Sequence, residues 1–209
     1  EESDHSSLQI LKYFGLAFLL CLVVLTGCAE KPFARYVLKS GSLEWVPDYS
    51  QPVSFRSAMD TIAMSELTSG RIFVETDLPS PIPSGEVDKV EAEQLLYYAV
   101  TDTPLYLVEY QLISVPDASA RSGSYDQITI NIRDETNQSF GEIVLENRDS
   151  LLCITPGCRY ADTLVIDSIN YFDVYYLAED ASKPNLYINR SEGIVAFRDQ
   201  QLKTYQNIK

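Results

Sequence analysis

The cysteines are the residues of this chain whose side chains offer the most specific chemistry. Four are present, together with a single histidine, His5. Cys153 and Cys158 flank the turn-forming pair Pro156-Gly157, and a short loop of this kind places two strand ends close enough to be joined by a disulfide. The closed ring is so small that the bond would contribute only about 2 kcal/mol. In an oxidising compartment we therefore expect a Cys153–Cys158 disulfide that clips a local hairpin.

Cys28 has a different setting, because it ends an apolar segment near the start of the sequence. The apolar run 13–25 has about thirteen residues, which is too short for the roughly twenty that span a bilayer as a helix. Small residues follow it, and the thiol of Cys28 is the one group there that is nucleophilic enough to carry a lipid. The junction Leu25-Thr26-Gly27-Cys28 resembles the lipobox of bacterial lipoproteins.

The lipobox resemblance implies a cleaved signal helix over residues 1–27, a lipidated tether over 28–45 and a single β domain over 46–209. It further implies a diacylglyceryl thioether and an acylated amino group on Cys28, with chains such as palmitate. Two or more chains hold a protein firmly at a membrane, since each buried methylene adds about 0.8 kcal/mol. Ala29 stands where an aspartate would direct retention at the inner membrane. We therefore expect the outer membrane, with the domain facing either the periplasm or the exterior.

The charge and the histidine content exclude several classes of function. Removal of residues 1–27 would leave 27 acidic and 15 basic side chains, a formal charge of −12, and no histidine. Nucleic-acid binding depends on basic residues, so we expect none. Without histidine, the mature chain has no Ser-His-Asp or Cys-His catalysis and no histidine metal ligand. Calcium-loop, phosphate-loop and G-x-S-x-G motifs are also missing, so we expect no enzyme, no metal and no cofactor.

Short apolar and β-branched segments alternate with turn residues along the rest of the chain. The clearest segment is 125–133, where Ile128, Ile130 and Ile132 alternate with polar residues, as in a strand with one buried face. Roughly ten such segments joined by short turns predict an all-β fold, either an antiparallel β-sandwich or a barrel-like sheet. The other predicted strands are 53–56, 61–64, 71–75, 105–115, 140–146, 164–166, 169–178, 186–189 and 194–198.

Residues 87–100 allow two interpretations. The stretch 91–96 consists of residues with good helix propensity. Alternation at every second position instead predicts a strand, and the turn residues 101–104 favour a hairpin into 105–115 over a helix. The shared face of that strand would contain Val90, Ala92, Leu96, Tyr98 and Val100.

Two further resemblances concern the mature domain. The segments 45–49, 53–57, 186–188 and 192–197 are similar to small envelope lipoproteins of the Bacteroidota, which implies a surface or periplasmic β domain without an established activity. Four triplets of aspartate, serine or threonine, and an aliphatic residue resemble the O-glycan acceptor pattern of envelope proteins in that group. Their acceptor residues are Thr61, Ser150, Thr163 and Ser168.

Tyrosine is abundant, with fourteen residues beside a single tryptophan. Aromatic side chains exposed on a sheet can stack on sugars or anchor a protein partner, although tyrosine is also an ordinary residue of half-buried strands. The candidates for an aromatic binding surface are Trp45, Tyr97, Tyr110 and Tyr175.

The expected function is that of a non-enzymatic binding or accessory module in a cell-envelope assembly. Its partners would be the membrane, through the lipid on Cys28, and an envelope protein. One alternative is a carrier whose sheet encloses a lipid or another apolar ligand, which requires a lined cavity on the order of several hundred Å³. Another is a carboxylate-dependent hydrolase, which requires two acidic side chains that converge in a cleft.

Overall fold

Strands make up most of the described chain. The computed structural model describes residues 34–77, 89–117, 123–177 and 185–208, which belong to one compact unit. The predicted signal helix over 1–27 and the lipid attachment site Cys28 lie outside the described residues. Within these ranges no helix has the length and hydrophobicity needed to cross a membrane.

Thirteen strands and one short helix occur in the described residues. The helix is α1, Ser40–Leu43. The strands, in chain order, are β1 Arg35–Tyr36, β2 Val53–Arg56, β3 Thr61–Asp77, β4 Lys89–Thr101, β5 Tyr106–Pro116, β6 Ser124–Asp134, β7 Ser139–Asn147, β8 Leu151–Cys153, β9 Cys158–Ile166, β10 Ile169–Leu177, β11 Asn185–Asn189, β12 Gly193–Arg198 and β13 Thr204–Asn207.

One sheet contains all of these strands. Its order is β8-β7-β6-β5-β4-β3-β2-β13-β12-β11-β10-β9, with antiparallel neighbours throughout, and β1 adds to β4 in parallel. Strand β7, near one end of this order, also contacts β10 and β11, near the other end. The sheet therefore curls into a nearly closed, barrel-like structure, which confirms the predicted all-β antiparallel architecture.

The Cys153–Cys158 disulfide lies where the two ends of the sheet meet. It is formed, with a Cα–Cα distance of 6.3 Å, so the prediction of the bond is confirmed. The expected hairpin is wrong, because Cys153 pairs with Leu145 of β7 and Cys158 pairs with Leu177 of β10. The turn between the cysteines connects the two terminal strands of the sheet, so the disulfide links the sheet ends rather than two paired strands.

Register and burial follow the alternation seen in the sequence. Ile128, Ile130 and Ile132 of β6 are fully buried, as their spacing predicts. The segments 61–64 and 71–75 were expected to be separate strands, but both belong to the continuous strand β3. A register shift between Glu66 and Thr68 lets β3 continue across this irregularity.

Residues 89–101 form β4, and β4 and β5 make the predicted hairpin. The predicted face is wrong beyond Ala92, because Leu95, Tyr97 and Ala99 are buried in place of the even-numbered residues. Ala92 and Glu93 are both buried, so the inward side changes at this point. Glu93 turns inward because its carboxylate accepts a 2.9 Å hydrogen bond from the Leu38 amide.

The segment that the sequence assigns to a tether packs into the domain. Leu38 and Trp45 are core residues, so the predicted boundary at residue 46 lies within packed chain. Strand β13 was not predicted either, because its Gln206 and Asn207 are polar. Both are nevertheless buried, and the side-chain amide of Gln206 is satisfied by the Ile166 carbonyl at 2.8 Å.

Candidate functional site

The aromatic residues chosen from the sequence do not form a surface. Trp45, Tyr97 and Tyr110 retain 3%, 5% and 0% of their accessible area, and Tyr175 is partly buried against the core. The prediction of an exposed aromatic surface is therefore wrong for the first three residues. They are large side chains that fill the interior of the curled sheet.

Tyr49, Tyr97 and Tyr110 form a hydrogen-bonded cluster inside the domain. The Tyr49 and Tyr110 hydroxyl groups are 3.3 Å apart, and the Ile194 amide donates to both of them. The Tyr97 hydroxyl accepts from the Tyr49 amide at 3.1 Å. Removal from water raises the pKa of Tyr49 and of Tyr97 to about 12. These hydroxyl groups are satisfied within the protein, so the cluster is structural.

The hairpin of β9 and β10 places functional groups on the outside of the domain. One side of the hairpin is held down, because Leu164, Tyr171 and Val174 pack with Val195 of β12 in a small second core. The hydroxyl of Tyr171 donates to the Asn207 carbonyl at 2.8 Å. The hairpin is thus fixed across neighbouring strands and can present its other side rigidly.

The other side, which we call the β9–β10 face, consists of exposed residues. Phe172 lies opposite Thr163 in the ladder, and Asp173, with φ of 54°, interrupts the alternation between Phe172 and Val174. Because of this irregularity, Tyr171 and Val174 both point to the second core. Phe172 and Asp173, which lie between them in the chain, are exposed. The face contains Tyr160, Asp162, Thr163, Val165, Phe172 and Asp173.

Large apolar groups lie in the open on this face. Val165 and Phe172 each keep 62% of their accessible area, and Tyr160 keeps 49%. Single exposed apolar residues are common on proteins, but adjacent ones on one rigid element are typical of a binding surface. The β9–β10 face therefore fits a role in recognition.

Two carboxylates converge on the Tyr160 hydroxyl. It donates to Asp173 Oδ1 at 2.7 Å, and the Asp162 carboxylate also interacts with this hydroxyl. Both carboxylates raise the pKa of Tyr160 above its ordinary value, with the hydrogen bond to Asp173 as the larger cause. Among the ion pairs of the described residues, none includes Asp162 or Asp173. The face thus combines apolar area with negative charge that forms no ion pair among the described residues.

The position of β9 in the sheet adds a third property. β9 ends the strand order and, within the described ranges, pairs only with β10. Alternate N–H and C=O groups of such a terminal strand point away from the sheet and are free to pair with another chain. The β9–β10 face is therefore bordered by a backbone edge that can form hydrogen bonds.

An aromatic row connects this face to the core. The ring centroid of Tyr175 lies 5.0 Å from that of Tyr160 and 5.8 Å from that of Trp45. Such contacts fix the orientation of the exposed Tyr160 ring, because Tyr175 is itself held against the buried Trp45. Tyr175 is thus the one residue of the predicted aromatic set that contacts the site, and its role is to position Tyr160.

Tyr160, Val165 and Phe172 are site residues that the sequence pattern did not identify. The sequence contains a usable indication. Residues 164–166 are consecutive apolar residues, and Phe172 directly follows Tyr171, so apolar groups occur on both sides of the hairpin. A hairpin with apolar residues on both sides buries only one side unless a second layer of structure covers the other side. That pattern predicts one exposed apolar face.

The interior offers little room for a ligand. Tyr49, Tyr110, Tyr205, Phe55 and Phe197 are fully buried and fill the space enclosed by the sheet. An open cleft of about 430 Å³ lies at the surface, lined among others by Pro47, Val53, Glu192 and Ile208. Among the described residues, no three histidine, cysteine, aspartate or glutamate side chains come together in a way that could hold a metal ion.

The acceptor residues of the O-glycan-like triplets are all accessible. Thr61, Ser150, Thr163 and Ser168 are exposed. Thr163 lies on the β9–β10 face itself, and Ser168 lies in the turn at the end of the same hairpin. A glycan on Thr163 would therefore lie on this face.

Comparison of the chain with protein-family models, with curated proteins and with solved structures found no match. The class of the protein therefore rests on the fold and the site. They define an all-β, barrel-like domain that presents a rigid apolar and acidic face beside a free strand edge.

Proposed function

We propose that this protein is a non-enzymatic binding module of the cell envelope, anchored at the outer membrane through a lipid on Cys28. Its β9–β10 face docks an envelope protein partner. The single observation that carries the docking role is the combination of exposed Val165 and Phe172 with an unpaired strand edge on one rigid hairpin.

The anchoring part of the proposal is supported by the sequence junction at residues 25–28. Lipid attachment requires the Cys28 thiol, so a Cys28→Ala variant expressed in a diderm bacterium should take up no labelled palmitate and should leave the membrane fraction. The unaltered chain should carry the label and lose residues 1–27. Labelling of the Cys28→Ala variant would overturn the anchor.

The packed interior favours a docking module over a carrier for an apolar ligand. A carrier needs an enclosed apolar cavity, whereas the space inside this sheet is occupied by tyrosine and phenylalanine side chains. For the hydrolase alternative, Asp162 and Asp173 are candidates for the required pair of carboxylates, but both are exposed on a hairpin face. Neither residue lines the cleft that a carboxylate-dependent hydrolase requires.

Site-specific photocrosslinking in intact cells tests the docking role. A photoreactive residue at position 165 should form a crosslink to one discrete partner, and the same residue at position 59 should not. Met59 is a matched control because it is a more exposed apolar residue in the turn between β2 and β3. Equal crosslinking at the two positions, or none at position 165, would contradict the proposal.

A further inference from the structure

We propose that the partner of the β9–β10 face binds by strand addition. An extended segment of the partner pairs with the free edge of β9, places a lysine or arginine opposite Asp162, and lays an apolar side chain beside Val165. This inference rests on the proposed docking function, since it specifies the chemistry by which the same face is used.

The edge of β9 is suited to pairing because it lacks several of the usual protections. Natural edge strands are blunted by charged residues, above all lysine, by proline, by bulges or by very short length. β9 has nine residues, contains neither lysine nor proline, and has its one basic residue, Arg159, next to its start. The described hydrogen bonds of its backbone outside the β10 ladder lie near its two ends, at Cys158, Arg159 and Ile166. The edge between these points can accept a strand, a common mode of peptide recognition.

The charge of the face specifies a cationic partner residue. A lysine or arginine opposite Asp162 would meet the Asp162 and Asp173 carboxylates and the exposed ring of Tyr160, which together favour a cation by charge and by cation–π attraction. The described chain supplies no cation of its own to these two carboxylates. A side chain of the partner can therefore provide it.

The apolar part of the face specifies the neighbouring partner residue. An added strand would lie about 4.8 Å beyond β9, so a side chain beside Val165 can extend over the small Thr163. Phe172 lies directly opposite Thr163 on β10. A valine, leucine or tyrosine at this partner position would cover Val165 and Phe172 together.

A second copy of this chain is a poor occupant of the edge. Two-fold antiparallel pairing centred on Asp162 would cover the whole strand, but it places each Asp162 opposite its own copy, which is unfavourable. Shifting the centre so that Arg159 faces Asp162 pairs only residues 158–163 and leaves Val165 uncovered. The net charge of −14 adds repulsion between copies.

Binding of synthetic peptides to the full-length chain in detergent tests this mode. The probe is a nine-residue capped peptide of alternating threonine and valine with a central lysine, and the comparison peptides carry a central glutamate or a proline next to the centre. The lysine peptide should slow hydrogen exchange of the amides of β9, and the proline peptide should not. The glutamate peptide should bind at least about fivefold more weakly.

A charge exchange gives the decisive comparison. Asp162→Lys should reverse the preference, so that the glutamate peptide binds better than the lysine peptide. Asp149→Lys makes the same change of net charge at an exposed turn between β7 and β8 and should keep the original preference. Because both aspartates are exposed, both variants should fold, which thermal unfolding checks.

Three results would overturn the inference. Equal effects of Asp162→Lys and Asp149→Lys would show that only the overall charge matters. A dimer of the unaltered chain that Val165→Lys abolishes would make a second copy the occupant. The third result is a photocrosslink from position 165 to a partner, while neither the partner nor the peptide slows hydrogen exchange in β9. The proposed docking function would then stand, but strand addition would be wrong.

Discussion

The backbone amide of Lys39 donates a 2.7 Å hydrogen bond to the carboxylate of Asp126, a fully buried residue of β6. The preceding amide, that of Leu38, donates to the buried carboxylate of Glu93 on β4. Two carboxylates from the sheet thus hold the segment before α1. Because each side-chain oxygen accepts from an amide that is otherwise removed from water, both bonds contribute to the stability of the domain.

Removal of one of these acceptors should destabilise the domain. Asp126→Ala leaves the Lys39 amide without its partner, so we expect the free energy of unfolding in urea to fall by about 1–3 kcal/mol. Asp126→Asn keeps an oxygen acceptor and should lose less. Glu142→Ala, which changes an exposed carboxylate on β7, is the control. An Asp126→Ala variant as stable as the control would contradict this role.

Loss of the disulfide should loosen the junction between the sheet ends. A Cys153→Ser/Cys158→Ser double variant should be about 2 kcal/mol less stable by the chain-entropy argument for a short ring. Hydrogen exchange should rise mainly in β8 and β9, because these terminal strands each have one neighbour among the described strands of the sheet. Alkylation of the unreduced native protein should modify neither Cys153 nor Cys158. A uniform rise in exchange across the sheet would show that the bond does not act at the junction.

A methyl group at position 193 should be poorly tolerated. Gly193 has φ of 70°, and a Cβ there would approach the Tyr110 hydroxyl to 2.6 Å and Pro47 Cγ to 2.7 Å. Strain and overlap together should cost about 2 kcal/mol or more in Gly193→Ala. Gly70→Ala is the matched control, since a Cβ at Gly70 meets no atom within 4 Å. Chemical denaturation of both variants measures the difference, and equal midpoints would contradict the packing argument.

Alkaline pH should unfold the domain through its buried tyrosines. The pKa of Tyr49 is about 12 in the folded chain, against 10.0 for a free side chain. Because the pKa is higher in the folded chain, folding favours the protonated hydroxyl. The contribution of this hydroxyl to folding stability is complete below pH 10 and is lost as the pH rises towards 12. Phenolate absorbance and circular dichroism measured together should change in one transition. In Tyr49→Phe, stability should fall less between pH 10 and 12, and an unchanged pH dependence would contradict the assignment.

Much of the fold could be predicted from local pattern. Strand β6 was identified because Ile128, Ile130 and Ile132 alternate with polar residues, and such alternation already specifies which side is buried. Strand β13 was not identified, because Gln206 and Asn207 become buried only when partners such as the Ile166 carbonyl are present. The binding face was missed for a related reason. Both alternating sides of the β9–β10 hairpin are apolar, and pattern alone does not say which one is covered.

The amino-acid sequence by itself determined the all-β class, the strand and turn periodicity, the acidic charge and the pairing of Cys153 with Cys158. These properties depend on neighbouring residues, whose chemistry acts over a few positions of the chain. The tertiary structure alone decided that Tyr97 and Tyr110 are interior, that the disulfide connects the two ends of the sheet, and that Val165 and Phe172 remain exposed. Those outcomes depend on which distant strands meet, because burial is a property of the assembled sheet and not of any single segment.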